Sequence, residues 1–213
     1  MMRSLSLLAT ALVPTVLLAQ APPAPPPEDP ALVQQRQAVQ RDFEAGRYQP
    51  VIDAAAPPEA QPAIVYMAAQ SHQKRAANPL AIQTYQRLEA RPDGDPWHFI
   101  GLSGRQIVQD QNEPAIAAAR QAVTAVPTLA AAHYQLGLAL AKVQRWDEAS
   151  AAFDAAAQRE PGMAYAHYYG ALMHSRAGRP DRMAVGFDRF LKLAPEAPER
   201  PEVLSLMRTV RGR

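Results

Sequence analysis

The stretch Ala130–Met163, AAAHYQLGLALAKVQRWDEASAAFDAAAQREPGM, decides how this chain folds. It carries Leu136-Gly137, then Leu140, then Ala149, Phe153 and Ala156 at helical spacing, and it closes at Pro161. Its landmarks recur at a step of 34 residues. Pro161 maps back to Pro127 and forward to Pro195, Phe153 maps to Phe187 and, two steps back, to Tyr85, and Ala149 maps to Ala115 and Ala81. Leu136 maps to Leu102 and Ala68. Several independent columns sharing one period of this length mark a repeat architecture, in which one supersecondary unit is stacked several times.

With its small residues at a helix crossing and its closing proline, the stretch resembles one tetratricopeptide repeat, a 34-residue pair of antiparallel helices. His133 stands where the family's usual Trp would be, and Leu140 where its Tyr would be. The resemblance covers about two thirds of the chain and sets four repeats at Pro62–Asp95, Pro96–Leu129, Ala130–Met163 and Ala164–Ala197. It implies an all-α, right-handed superhelical solenoid of about four to five helix pairs, closed by a C-terminal capping helix. It also implies an interaction scaffold rather than an enzyme, without naming the partner.

Composition agrees with a thin solenoid. Hydrophobic residues make up 48% of the 213, much of it Ala, while aromatics are only 7%, which suits small faces buried between neighbouring repeats. The 22 basic and 20 acidic residues nearly balance, and no basic stripe with interleaved aromatics argues for nucleic acid. Cysteine is absent, so disulfides, thiolate metal sites and a lipid-modified N-terminal Cys are excluded.

Outward from the repeats, residues 1–20 read as a secretory signal peptide. Arg3 is the positive n-region, Leu5–Leu18 the apolar run, and Ala19-Gln20-Ala21 offers small residues for cleavage after Ala19 or Ala21. The apolar run is shorter than the ~20 residues that span a bilayer, so retention as an anchor is the lesser alternative and no membrane insertion is expected after cleavage. A periplasmic or otherwise exported location follows. Residues 21–30, APPAPPPEDP, form an extended Pro-rich linker of roughly 30 Å. Residues 31–61 form an irregular first pair: a helix Ala31–Ala45 with Leu32, Val39 and Phe43 on one face, ended by Gly46, then a short helix Val51–Ala56 stopped by Pro57-Pro58. Asn78 and Asn112 are expected to cap the second helices of repeats one and two. Repeat two crosses through Ala115, Ala119 and Ala122, a small-residue seam. In repeat four Gly170 is shifted from the Gly column and Met183 replaces the small crossing residue, which leaves that pair's angle open. Residues 198–213 read as a capping helix with Val203, Leu206, Met207 and Val210 on one face, followed by a basic tail.

By the resemblance, a partner protein or peptide lies along a concave face built from the first helix of each pair. The places that line it hold Tyr66, Gln70 and Lys74 in repeat one, Trp97 and Ile100 in repeat two, Tyr134, Leu138 and Lys142 in repeat three, and Tyr165, Tyr168, Leu172 and Arg176 in repeat four. The Asn and Lys set by which some relatives grip a C-terminal carboxylate is missing, since Gly104 and Leu138 stand at the Asn places. Aromatic packing between adjacent first helices is the competing reading of the same tyrosines. Two alternatives to a partner groove remain: a metal- or haem-handling accessory using His167 and His174, and a structural homo-oligomer. No cofactor is expected. Gly101-Leu102-Ser103-Gly104 lacks the spacing and the preceding strand of a nucleophile elbow, and reads as small residues at a helix contact.

Overall fold

The structure, a computed structural model, describes residues 29–211, with side chains through Arg208. The leader, the first eight residues of the Pro-rich segment and the side chain of Val210 lie outside the described residues. The described residues form eleven helices and no strand: α1 (Pro30–Glu44), α2 (Tyr48–Ala54), α3 (Pro62–Lys74), α4 (Asn78–Glu89), α5 (Pro96–Val108), α6 (Asn112–Ala125), α7 (Ala130–Lys142), α8 (Trp146–Arg159), α9 (Ala164–Arg176), α10 (Pro180–Leu193) and α11 (Arg200–Arg211). The first helices α3, α5, α7 and α9 start 34 residues apart, and so do the second helices α4, α6, α8 and α10. Each helix packs on the next in sequence, so the molecule is a solenoid of helix pairs.

Helix starts follow local chemistry. Pro62, Pro96 and Pro180 open their helices, where the missing N–H has no intrahelical partner to lose. Asp29 and Asp95 cap α1 and α5 by accepting from the N–H groups of Ala31 (2.9 Å) and Trp97 (2.8 Å). Asn78 and Asn112 do not cap. They are already the first helical residues, the preceding Ala77 and Gln111 make no side-chain cap, and Asn112 Oδ1 is buried without a partner. The short helix α2 starts at Tyr48, three residues before the start read from the sequence.

Every turn inside a pair uses one residue in the left-handed region: Gly46, Ala76, Asp110, Gln144 and Gly178, with φ between 56° and 74°. The next N–H then reaches back five residues, as in Arg47 to Asp42, Ala77 to His72, Gln111 to Gln106, Arg145 to Leu140 and Arg179 to His174. This closes the first helix and reverses the chain in very few residues.

The crossing columns form the core. Ala81, Ala115 and Ala149 are fully buried, and Tyr85, Phe153 and Phe187 pack above them. Each buried ring contributes about 1.5–3 kcal/mol. Glycines let the first helices press onto these rings: a Cβ at Gly104 would overlap the Tyr85 ring, and one at Gly137 would lie 2.8 Å from Phe153. In the last pair the close approach moves to α10, where a Cβ at Gly186 would lie 2.9 Å from Ala171 Cβ, and Met183 on the same helix is buried. Gly170 sits at ordinary contact distance and is not required sterically.

The two ends of the array meet. Phe43 of α1 packs edge-on against Tyr165 of α9, with 5.3 Å between ring centroids. Gln40 donates to the Gly162 carbonyl (3.2 Å), and Glu44 accepts from the N–H of Ala164 (3.4 Å), the first residue of α9. Arg47 pairs with Glu196 (2.8 Å), and Gly46 lies against Pro198, whose Cγ would be 2.8 Å from a Cβ there. Lys74 of α3 pairs with Glu199 (2.6 Å), which also accepts from the Tyr165 hydroxyl (2.8 Å). The first pair therefore closes the curve against the last repeat. Beyond it, α11 buries Val203 and Met207 on α10 but leaves Leu206 at the surface. No helix of the described residues is long and apolar enough to cross a membrane.

Candidate functional site

Closure leaves the concave face as two partly open cavities. Two cavities run along the first helices, about 370 Å³ toward their N-terminal ends and about 450 Å³ toward their C-terminal ends. Phe43, Gln70 and Tyr134 line both and divide them. Because the inward positions recur on parallel helices, one side chain after another from α3, α5, α7 and α9 faces the same space.

The sequence-predicted residues divide accordingly. Tyr66, Trp97 and Tyr165 line the first cavity. Lys74, Leu138, Lys142 and Leu172 line the second, and Gln70 and Tyr134 line both. Ile100 is wholly buried in the core, Tyr168 packs on Phe187 and Phe190, and Arg176 is exposed; these three line neither. The tyrosines pack as well as line. Tyr66 is tilted against Tyr85 and Trp97, and Tyr134 stands edge-on to Phe153 and Tyr169.

Polar groups in this space are engaged with one another. The Tyr66 hydroxyl donates to Gln135 Oε1 (2.7 Å), and Gln135 Nε2 donates to Ser103 Oγ (3.0 Å), so α3, α7 and α5 are tied through buried groups. Burial lifts the phenols of Tyr66 and Tyr134 well above their ordinary pKa, and burial with the nearby Glu202 carboxylate pushes Tyr168 up to about 12. These phenols stay protonated and remain donors. Burial works against the charges of Lys74 and Glu199. Even so, Tyr169 and Glu199 hold the Lys74 ammonium above its usual pKa, and hydrogen bonds from Lys74 and Tyr165 hold Glu199 below the usual carboxylate value. The Lys74 ammonium also sits over the Tyr165 ring, 4.6 Å from its centroid. Lys142 pairs loosely with Asp110 (3.6 Å).

Some lining residues were not read from the sequence. Arg36, Gln40, Phe43 and Glu44 of α1 close one side of the first cavity. Their spacing of four, seven and eight residues from Arg36 is a helical face, which the run of Leu32, Val39 and Phe43 concealed; Leu32 is in fact largely exposed. Tyr169 and Glu199 were missed because each acts through a contact with a distant segment.

The histidines do not converge. His133 Nε2 reaches the Pro127 carbonyl (2.9 Å), and His167 Nε2 makes the equivalent contact to Pro161 (3.1 Å) one repeat later. His174 Nε2 lies 3.1 Å from both oxygens of Asp154. His167, His174 and Asp154 border a third cavity on the outer surface, yet no group of three or more His, Cys, Asp or Glu suited to a metal ion occurs among the described residues.

No known family profile matches the sequence, and no curated protein matches it. Solved structures do match. The crystal structure of TTC0263, a thermophilic TPR protein of Thermus thermophilus, superposes with a TM-score of 0.60 at 20% identity, covering 83% of this chain and 98% of that one. A crystal structure of MamA gives 0.47 at 17% identity over 76% of this chain and 91% of that one. MamA from Desulfovibrio magneticus RS-1, from its residue 41 to the end, gives 0.45 at 20% identity over 78% and 96%.

Proposed function

We propose, from the tetratricopeptide-repeat fold of this chain, that it is a non-enzymatic scaffold of the cell envelope that holds an extended segment of a partner protein in the space along its first helices. The observation that carries this is the pair of aromatic-walled cavities meeting at Phe43, Gln70 and Tyr134, to which successive repeats each contribute inward side chains. Spaces of 370 and 450 Å³ take side chains and a short run of backbone, not a folded domain. The envelope location rests on the signal-peptide reading of residues 1–20 and the Pro-rich spacer after it.

Site-specific photo-crosslinking tests this reading. A crosslinker is placed at Leu138 or Leu172, both half-buried and lining the second cavity, and for comparison at Arg176, exposed and lining neither. Expected is one partner captured from envelope extract at Leu138 and Leu172 and not at Arg176. Capture at Arg176 alone would move the binding surface off the concave side. Export is tested separately by fusing residues 1–30 to a reporter that is active only outside the cytoplasm.

A further inference from the structure

The first cavity combines two features that a packing role does not require together. Five helices each contribute an aromatic side chain to its lining: Phe43 of α1, Tyr66 of α3, Trp97 of α5, Tyr134 of α7 and Tyr165 of α9. Among them sits the carboxylate of Glu44, nine-tenths buried. One of its oxygens is used: Oε1 accepts from Gln40 Nε2 (3.0 Å) and from the N–H of Ala164 (3.4 Å), so it caps α9 from outside. Both of these hydrogen bonds fall on Oε1. Arg36 also lines the cavity, but it donates to Gln61 (3.3 Å), and its charge acts on Glu160 rather than on Glu44. Burial, reinforced by Glu160, pushes the Glu44 carboxyl above its ordinary pKa, the behaviour of a buried acid lacking a cation. The second cavity is lined instead by Lys74 and Lys142, each paired with a carboxylate.

We propose that the first cavity is a binding site for an alkylammonium group, with the Glu44 carboxylate as its counter-ion and the five rings as its cage. Ring faces are negative and attract a cation, and the attraction grows when water is excluded. An acid held among such faces supplies charge where an apolar pocket would not. The group arrives either on a free small amine or as the lysine side chain of a bound segment. In the second form the proposal rests on the partner reading above, and it then specifies that the segment carries a lysine at the N-terminal end of the first helices.

The test uses the chain with Trp146→Phe, which leaves Trp97 as the fluorescent reporter inside the cavity. Probes are choline, Nα-acetyl-lysine methylamide, and 3,3-dimethylbutan-1-ol as the neutral isostere of choline, at constant ionic strength. Expected is a saturable change in Trp97 emission with at least one cation, binding about tenfold or more tighter than the neutral isostere. Glu44→Gln keeps an oxygen for Gln40 and Ala164, and it should abolish that preference while leaving the isostere's binding in place. Trp97→Leu, read by calorimetry, should weaken the cation as well. Choline binding without the lysine amide assigns a free quaternary amine, and the reverse assigns a side chain. Absence of saturation by both cations, equal binding of the isostere, or an unchanged cation affinity in Glu44→Gln overturns the proposal. None of these results bears on crosslinking at Leu138 and Leu172, so the partner reading stands or fails separately.

Discussion

Replacing Gln135 by Met probes what holds the first helices at their spacing. Gln135 is fully buried, receives the Tyr66 hydroxyl at 2.7 Å and donates to Ser103, also fully buried, at 3.0 Å. Tyr66 and Gln135 lie 69 residues apart, on α3 and α7, so the bond reaches over α5 across the inside of the curve. Methionine matches the length of glutamine but removes both polar atoms. Two hydrogen bonds of about 1 kcal/mol each are lost, and the buried Tyr66 hydroxyl is left without its acceptor at a further cost of about 1–3 kcal/mol, so a total near 3–5 kcal/mol is expected. For a chain of this size each kcal/mol lowers Tm by about 2–4 °C. Tyr66→Phe alone should cost about 1–2 kcal/mol, because Gln135 keeps Ser103. The triple variant Tyr66→Phe/Gln135→Met/Ser103→Ala removes donors and acceptors together and should recover to within about 1 kcal/mol of the parent. Urea denaturation with an unchanged slope measures all three. A Gln135→Met variant as stable as the parent, or a triple variant no better than Gln135→Met, refutes the argument that unsatisfied buried groups set the cost.

Gly104→Ala would drive a Cβ into the Tyr85 ring, so overpacking should cost about 1–3 kcal/mol in a thermal or urea melt. Gln144→Gly acts in the other direction: Gln144 holds φ 61° in the α7–α8 turn, and relief of about 1–2 kcal/mol of left-handed strain, less the entropy of glycine, should raise stability by about 0.5–1 kcal/mol. Glu199→Gln tests the closure through pH. The folded-state pKa of Glu199 is depressed, so its contribution is present above the ordinary value of 4.5 and is lost as pH falls through the folded value. The parent should melt above Glu199→Gln at neutral pH, the gap should vanish in acid, and a gap independent of pH would show that the Lys74 pair contributes nothing.

What the sequence made legible was local and periodic. Pro62, Pro96, Ala130 and Ala164 open their helices 34 residues apart because small and aromatic residues at fixed places decide each pair on its own. Of the left-handed turn residues only Gly46 was read as a helix end; the others were not legible, because the position is filled by Ala76, Asp110 and Gln144 as well as by glycine. The caps at Asn78 and Asn112 failed for a related reason. Tight turns that begin the second helix one residue early leave no extended cap position for the asparagine to occupy. Nine of the twelve residues placed on the concave face do line the two cavities, since inward direction follows from helical phase. Ile100 and Tyr168 share that phase but are covered by neighbouring helices, and coverage depends on curvature.

Curvature also brings the two ends of the array together. Gly101 and Gly104 let α5 press closely onto α4 of the preceding pair, and the curve of the array brings α1 to α9 and Lys74 to Glu199. The contacts that lock this arrangement join residues more than 100 positions apart, such as Gln40 with Gly162 and Lys74 with Glu199, and a 34-residue period contains no term for them. An open solenoid would recognise a partner by the side chains along one face. Here α1 and the segment before α11 occupy part of that face. The two cavities beside this face differ in lining, with Glu44, Glu160 and Arg36 at one and the ion-paired Lys74 and Lys142 at the other.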